Sequence, residues 1–248
     1  MEVASKTDQG KKREHNEDAC GLMPVYHVYM VADGVGGSNA GEIASKSAIQ
    51  GIARFIQTHE IKQAEGIPDI RRYFSACFDQ VNEEILKLMN EKPETRGMAT
   101  TIALAYISGH TLYAMNIGDS RVYLYRKGNL QQITVDHTYV NQLLKAGVIT
   151  PGEAAVHEKR HVIMRAVGAD EKVRADYYQA ELQEDDVIIL TTDGLHGEIG
   201  NDGIREELDK NNTMKETCDN MVRRANERGG HDNITVICIK ITEGDLDE

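Results

Sequence analysis

Apolar positions recur along this chain with two different periods. Alternating or unbroken apolar runs predict strands over 3–7, 19–23, 28–32, 101–107, 111–117, 120–125, 130–135, 174–182, 187–192 and 234–241. Helical spacing governs 41–59, with Ile43, Ala44, Ala48, Ile49, Ile52, Phe55 and Ile56 on one stripe. A second stripe, Ile70, Tyr73, Phe74, Cys77, Val81, Ile85 and Leu88, predicts a helix over 69–91 with Asp69 as N-cap after Pro68. Shorter helices are expected over 138–146, ending at Gly147, and over 213–228, ending at Gly229-Gly230. These stripes read as core faces without further function. Gly118-Asp119 reads as a two-residue hairpin turn, 136–168 as a weakly periodic functional loop, and 244–248 as a frayed acidic tail.

The 248 residues suffice for one large domain or two small ones, and 40% hydrophobic with 27% charged residues fits a globular protein. A net charge of −12 argues against non-specific binding to nucleic acid or anionic lipid. An anionic substrate therefore needs positive charge supplied at the site, which bound metal provides. No segment has the apolar length of a membrane span, and the first residues lack the apolar core of a signal peptide. Cys20, Cys77, Cys218 and Cys238 show no paired metal spacing and read as reduced, mostly buried thiols of a cytosolic protein.

The candidate chemistry begins at Val28-Tyr29-Met30-Val31-Ala32-Asp33-Gly34-Val35-Gly36-Gly37. It reads as a buried strand stopping at Asp33, followed by glycines that let the backbone turn through positive φ. A dinucleotide fingerprint fails because Asn39 stands where the third glycine belongs. An aspartyl-phosphate enzyme fails because Val35 replaces the second acid. Four more aspartates have related settings: Asp193 closes a strand, Asp18 and Asp232 open strands, and Asp119 occupies the hairpin turn. In antiparallel neighbours one strand's end lies beside the next one's start, so all five carboxylates can meet at one edge of one sheet layer. Such a cluster stays ionised only with cations, and all-oxygen donors favour Mg²⁺ or Mn²⁺ over zinc. Two ions about 4 Å apart can bridge and activate a water, which is hydrolase chemistry. Taken alone, 13–18 still reads as a solvated charged loop, and turn chemistry explains Asp119 as well as a ligand role does.

Five motifs occur in order: Arg13-Glu14-His15-Asn16-Glu17-Asp18, Asp33-Gly34-Val35-Gly36-Gly37, Gly118-Asp119-Ser120-Arg121, Asp193-Gly194 and Asp232-Asn233. Together, over roughly 3–241, they resemble the motif series of the type-2C (PPM) metal-dependent serine/threonine protein phosphatases in their compact bacterial form. The resemblance implies an α+β fold, a central sandwich of two antiparallel β-sheets flanked by helix pairs. It also implies one catalytic domain over 1–248, with a flap-like segment at about 136–168 that influences substrate choice.

By the same resemblance Asp33 bridges two metals, the Gly34 carbonyl joins one of them, Asp193 and Asp232 hold the first, and Asp18 holds the second. Glu17 acts through water, Asp119 holds a weaker third ion with Asp193, Asn233 supports the water shell, and Arg13 grips the phosphate. The implied reaction is direct attack by metal-activated water on phosphoserine or phosphothreonine of proteins. The implied partner is a cognate serine/threonine kinase, and the expected state is a cytoplasmic monomer free of nucleic acid and membrane. Two positions depart from the family pattern. Val35 stands where many eukaryotic members have histidine, leaving the general acid unassigned, and Ala99 stands where glycine is usual. The rival readings are a catalytically inactive binding module of the same fold and a two-metal hydrolase of small phosphate monoesters.

Overall fold

The computed structural model describes residues 1–37, 40–61 and 66–245; Asn39 and the last three residues of the expected acidic tail lie outside them. The strands are β1 (Glu2–Asp8), β2 (Asp18–Met23), β3 (Val28–Val35), β4 (Ala99–Thr100), β5 (Ile102–Ser108), β6 (Thr111–Ile117), β7 (Arg121–Arg126), β8 (Asn129–Gln132), β9 (Asp176–Glu181), β10 (Val187–Thr191) and β11 (Ile234–Lys240). The helices are α1 (Ala40–Thr58), α2 (Ile67–Glu91), α3 (Tyr139–Lys145), α4 (Pro151–Val156), α5 (Asp193–Leu208) and α6 (Met214–Glu227). One sheet has the order β1-β11-β10-β7-β8, the other β2-β3-β5-β6-β9 with β4 beside β3, and every pairing is antiparallel.

Alternation along the strands divides the core into three. Tyr29, Val31, Ala103, Val122, Leu190 and Ile237 meet between the sheets. Met30, Leu104 and Met115 face the opposite way, onto Ile52, Phe74 and Ile85 of α1 and α2. On the far side Ile189, Val236 and Cys238 pack against Leu195, Met221 and Val222 of α5 and α6. The α-β-β-α layering expected from the family resemblance is therefore the observed architecture.

Several local expectations are corrected. Gly118-Asp119 is not a hairpin turn: β6 pairs with β5 and β9, β7 with β10 and β8, so the dipeptide carries the chain from one sheet to the other. Gly118 serves there with φ 102°, and a Cβ on it would come within 2.6 Å of Thr101 Cγ2. The strand carrying Asp33 does not stop at it but runs on to Val35, and Gly34, Gly36 and Gly37 are not among the positive-φ glycines. Close approach explains Gly34 instead, since a Cβ would lie 1.9 Å from the Gly41 carbonyl oxygen at the start of α1. Helix α2 starts two residues before Asp69, with Gly66 as N-cap and Pro68 in the first turn, so Asp69 lies inside the helix.

Two helices escape the periodicity. In α5 four glycines dilute the pattern, and Gly200 (φ 65°, ψ 175°) breaks the helix, shifting the stripe between Leu195, Ile199 and Ile204, Leu208. In α4 the signal is a capping box in which Thr150 and Glu153 satisfy each other's backbone N–H groups, with Pro151 opening the helix.

Candidate active site

The period-two faces that build the inter-sheet core turn polar at one end of the sandwich. On β3, Tyr29 and Val31 are followed on the same face by Asp33, and the β2 residue directly opposite is Asp18. On β10, Ile188 and Leu190 are followed by Thr192; on β11, Ile239 and Ile237 lead back to Thr235 and Asn233. The aspartates thus gather where both sheets end, not along an edge of one layer. Asp18 and Asp33 come from one sheet, Asp193 and Asp232 from the other, and Asp119 from the crossover between them.

Each element is anchored by the backbone around it. Asp33 N–H donates to Thr101 Oγ1 (2.9 Å), and its carbonyl accepts from Thr101 N–H and Thr100 Oγ1, both at 2.9 Å. Gly194 lets the β10 end press on the 232–233 turn, since a Cβ there would lie 2.0 Å from the Asn233 carbonyl oxygen. Asn233 ties down the loop bearing Arg13: its Nδ2 donates to Gln9 O (2.8 Å) and His15 O (2.9 Å), and its Oδ1 accepts from Glu17 N–H (2.8 Å). Arg13 Nη2 in turn donates to Asp232 Oδ2 at 2.7 Å.

These groups border one cavity of about 1080 Å³, lined by Arg13, Glu17, Asp33, Asp119, Asp193 and Asp232 among others. Asp18 lies beneath it, buried, with Thr192 Oγ1 donating to its Oδ2 at 2.8 Å. Burial first, then Asp193 and Asp232, pushes the Asp18 carboxyl up to about 7. Burial, then Asp193 and Asp136, pushes Asp119 up to about 8. Asp33 is held well above the usual carboxylate range by burial and by Asp18, Asp193, Asp119 and Asp232. Asp193 is raised by burial and by Asp232. Neutralising this charge requires protons or cations.

The donor set fits cations. Asp18 Oδ1, Asp193 Oδ1 and Glu17 Oε1 are buried without a hydrogen-bond partner, which in a carboxylate is an open ligand position. All are hard oxygens suited to Mg²⁺ or Mn²⁺. Among the described residues no three acidic, histidine or cysteine side chains converge as a ready-made ligand set, consistent with Arg13 and Thr192 holding two of the carboxylates.

The protein phosphatase 2C family model matches residues 7–236. The chain belongs to that family. Protein phosphatase PhpP of Streptococcus pneumoniae serotype 2 is 34% identical over 258 positions, covering all of both chains. The crystal structure of the Mycobacterium tuberculosis serine/threonine phosphatase PstP/Ppp superposes with a TM-score of 0.88 at 32% identity, covering 97% of this chain and 98% of that one. The catalytic domain of PstP in complex with two manganese ions superposes with a TM-score of 0.83 at 32% identity, covering 97% and 98%.

Within this protein phosphatase 2C member, the two departures from the family pattern face each other: Val35 and Ala99 are cross-strand partners in the β3–β4 pairing. The pattern reading passed over a set of side chains that hold the site. Thr192, the N-cap of α5 just past β10, continues the inward face of that strand, a position that period two alone would have flagged. Two buried histidines grip the 118–119 crossover: His196 Nε2 donates to the Asp119 carbonyl (3.1 Å), and His137 Nδ1 accepts from Gly118 N–H (3.1 Å). Arg121, at the same cavity, spends its guanidinium on a forked pair with Asp136 (Nε–Oδ1 2.9 Å, Nη2–Oδ2 2.7 Å). The weakly periodic segment supplies Arg160 and His161 to the cavity wall.

Proposed function

We propose that this chain hydrolyses phosphoserine and phosphothreonine in proteins, as a cytoplasmic monomer acting against a serine/threonine kinase. The observation that carries the reading is the gathering of Asp18, Asp33, Asp119, Asp193 and Asp232 at one end of the sandwich, with buried oxygens lacking partners. Family membership and the phosphatase names of its relatives support the substrate class. No helix among the described residues is long and apolar enough to cross a membrane.

Asp18, Asp33, Asp193, Asp232 and the Gly34 carbonyl would hold two Mn²⁺ or Mg²⁺ ions, and Asp119 with Asp193 a weaker third. When bound, such ions would supply an activated water at neutral pH and positive charge to polarise the phosphoryl oxygens. The chain's own residues do the rest. Arg13 offers a planar fork to the phosphate once it is shared with Asp232, and Asn233 fixes the loop that aims it. Glu17, half-buried beside the cluster and raised chiefly by desolvation, would orient water near the ions. His196 and the His137–Gly118 contact keep Asp119 at the cavity wall.

The test is phosphate release from a phosphothreonine peptide with Mn²⁺, with chelator, and with Asp193→Asn. Because loss of outer-shell partners alone costs 10–100-fold, chelation and the substitution are each expected to reduce turnover by more than about 100-fold. Folded, metal-loaded protein that releases no phosphate from the peptide but binds it favours the inactive binding module. Turnover confined to small monoesters moves the substrate class.

A further inference from the structure

Away from the carboxylate cluster, a second concavity of about 430 Å³ has the opposite charge character. Arg71 and Ser75 come to it from α2, one helical turn apart, Arg174 from the residues just ahead of β9, and Tyr177 from the start of β9. Arg165 comes from the end of the weakly periodic segment. Asp176 is the one carboxylate in this lining, and it is already engaged by Arg165 Nη1 (2.8 Å) and His137 Nε2 (3.1 Å). Arg71 and Arg174 are exposed and form no ion pair among the described residues. Two uncompensated guanidinium groups beside a third stand out on a chain of net charge −12.

The groove is also ordered. Arg71 lies over the Tyr177 ring at 5.3 Å from its centroid, and Tyr177 Oη is locked to Ser75 Oγ at 2.8 Å. A guanidinium held against a ring is pre-oriented for forked contact with an anionic oxygen.

Its position relates it to the carboxylate cluster. Asp176 pairs across the sheet with Asn116, whose Nδ2 donates to the Gly118 carbonyl (3.2 Å) at the crossover carrying Asp119. Asp176 therefore sets one end of the groove at the same end of the sandwich as the aspartates, with Tyr177 one residue further along the strand. From β3, which holds Asp33, to β9 is three strand spacings, about 15 Å, the reach of roughly five extended residues. One extended segment can span both places.

We propose that this arginine groove binds a second anionic group of the protein substrate, a carboxylate run or another phosphorylated residue, about five or more residues from the phosphoresidue being hydrolysed. The inference rests on the phosphatase reading above. Tethering through the first site raises the local concentration of the second group, so even exposed contacts gain weight.

The experiment compares kcat/KM of the Mn²⁺-loaded enzyme on a phosphothreonine peptide with three tails. One tail is neutral Gly/Ser; one carries three glutamates; one carries a non-hydrolysable phosphonate in place of phosphoserine, each placed 4, 8 or 12 residues away. An anionic tail is expected to improve kcat/KM about tenfold at one or more spacings, through KM with kcat unchanged. In the double variant Arg71→Gln/Arg174→Gln the gain falls below about twofold, while the neutral-tail peptide reacts at the wild-type rate. A larger gain from phosphonate than from glutamate assigns the groove to phosphate; equal gains assign it to acidic runs. An equal gain in wild type and variant, or no gain at any spacing, overturns the proposal. Failure of the neutral-tail peptide to react at all strikes the phosphatase reading instead. Should the double variant not fold, Arg174→Glu alone, at an exposed position, should turn the gain into a penalty.

Discussion

Strand β10 has an aspartate at each end, and the two are treated in opposite ways. Asp186, 1% exposed, accepts from Arg126 Nε (2.7 Å) and from Gln183 N–H (2.8 Å). Asp193, seven residues on, has a buried oxygen with no partner and shares its space with Asp33 and Asp232. The neighbouring strand β7 also has an arginine at each end, but only Arg126 meets the aspartate beside it. Arg121, the one near Asp193, is tied off by Asp136. Burying a carboxylate is thus ordinary for this fold when an arginine comes with it. At the other end Arg13 pairs with Asp232 alone and, among the described residues, no arginine is paired with Asp193, leaving charge for exogenous ions to neutralise.

The contrast can be broken most sharply by stability measurements. Asp186→Ala is expected to lose about 2 kcal/mol in urea unfolding, since it removes the buried acceptor of Arg126 and of the Gln183 N–H. Asp193→Asn in chelated protein should lose nothing, because it removes one of several repelling charges. Equal losses would dissolve the distinction.

A smaller effect is expected in pH. In metal-free protein the raised carboxyls, Asp18 at about 7 and Asp119 at about 8, bind protons more tightly folded than unfolded. Their contribution is present at low pH and lost as pH rises through those values. Chelated protein should therefore be less stable at pH 8.5 than at pH 6.5 by more than about 1 kcal/mol, and saturating Mn²⁺ should flatten that slope. A flat profile without metal would count against the cluster.

The smallest effect involves His137. Burial, with Arg165, lowers its pKa from 6.5 despite the opposing pull of Asp176, and Gly118 N–H already occupies Nδ1. The folded state binds its proton less readily, so stability present above pH 6.5 drains as pH falls through the lower folded value. Unfolding curves between pH 7 and 5 should show a shallower acid loss for His137→Asn than for wild type.

Much of this was readable from residues, for identifiable reasons. Strands of the inter-sheet core announce themselves because Val28–Val31 and Val187–Leu190 are apolar on both faces, as covered sheets require. Helix α6 was legible because its apolar stripe of Met214, Cys218, Met221, Val222 and Ala225 runs unbroken towards Gly229-Gly230. The five aspartates were legible as motifs, but not how they meet. Deciding between a hairpin and a crossover at Gly118-Asp119 depends on which strands β6 and β7 prefer as partners, a long-range choice that local turn chemistry does not encode. Likewise Gly34 looked like a hinge because glycine permits positive φ, whereas its use here is to admit the Gly41 backbone, a residue on another element. The arginine groove left no local trace, since Arg71 and Arg174 are a hundred residues apart and sit together only through the packing of α2 on β9.

The pairing of β1 with β11, from Glu2 opposite Lys240 to Asp8 opposite Ile234, bears on how the enzyme comes into being. Strand β1 has no sheet partner until β11 has been made. Between them, Gly10 packs against the Asp232 backbone, so the Arg13 loop and the 232–233 turn take shape together. A nascent chain stalled before β11 holds Asp18 and Asp33 but has no means of closing the cluster. Closure of the cluster is thereby deferred until β11 has been made, and the non-local pairing places this fold among the slower ones to assemble.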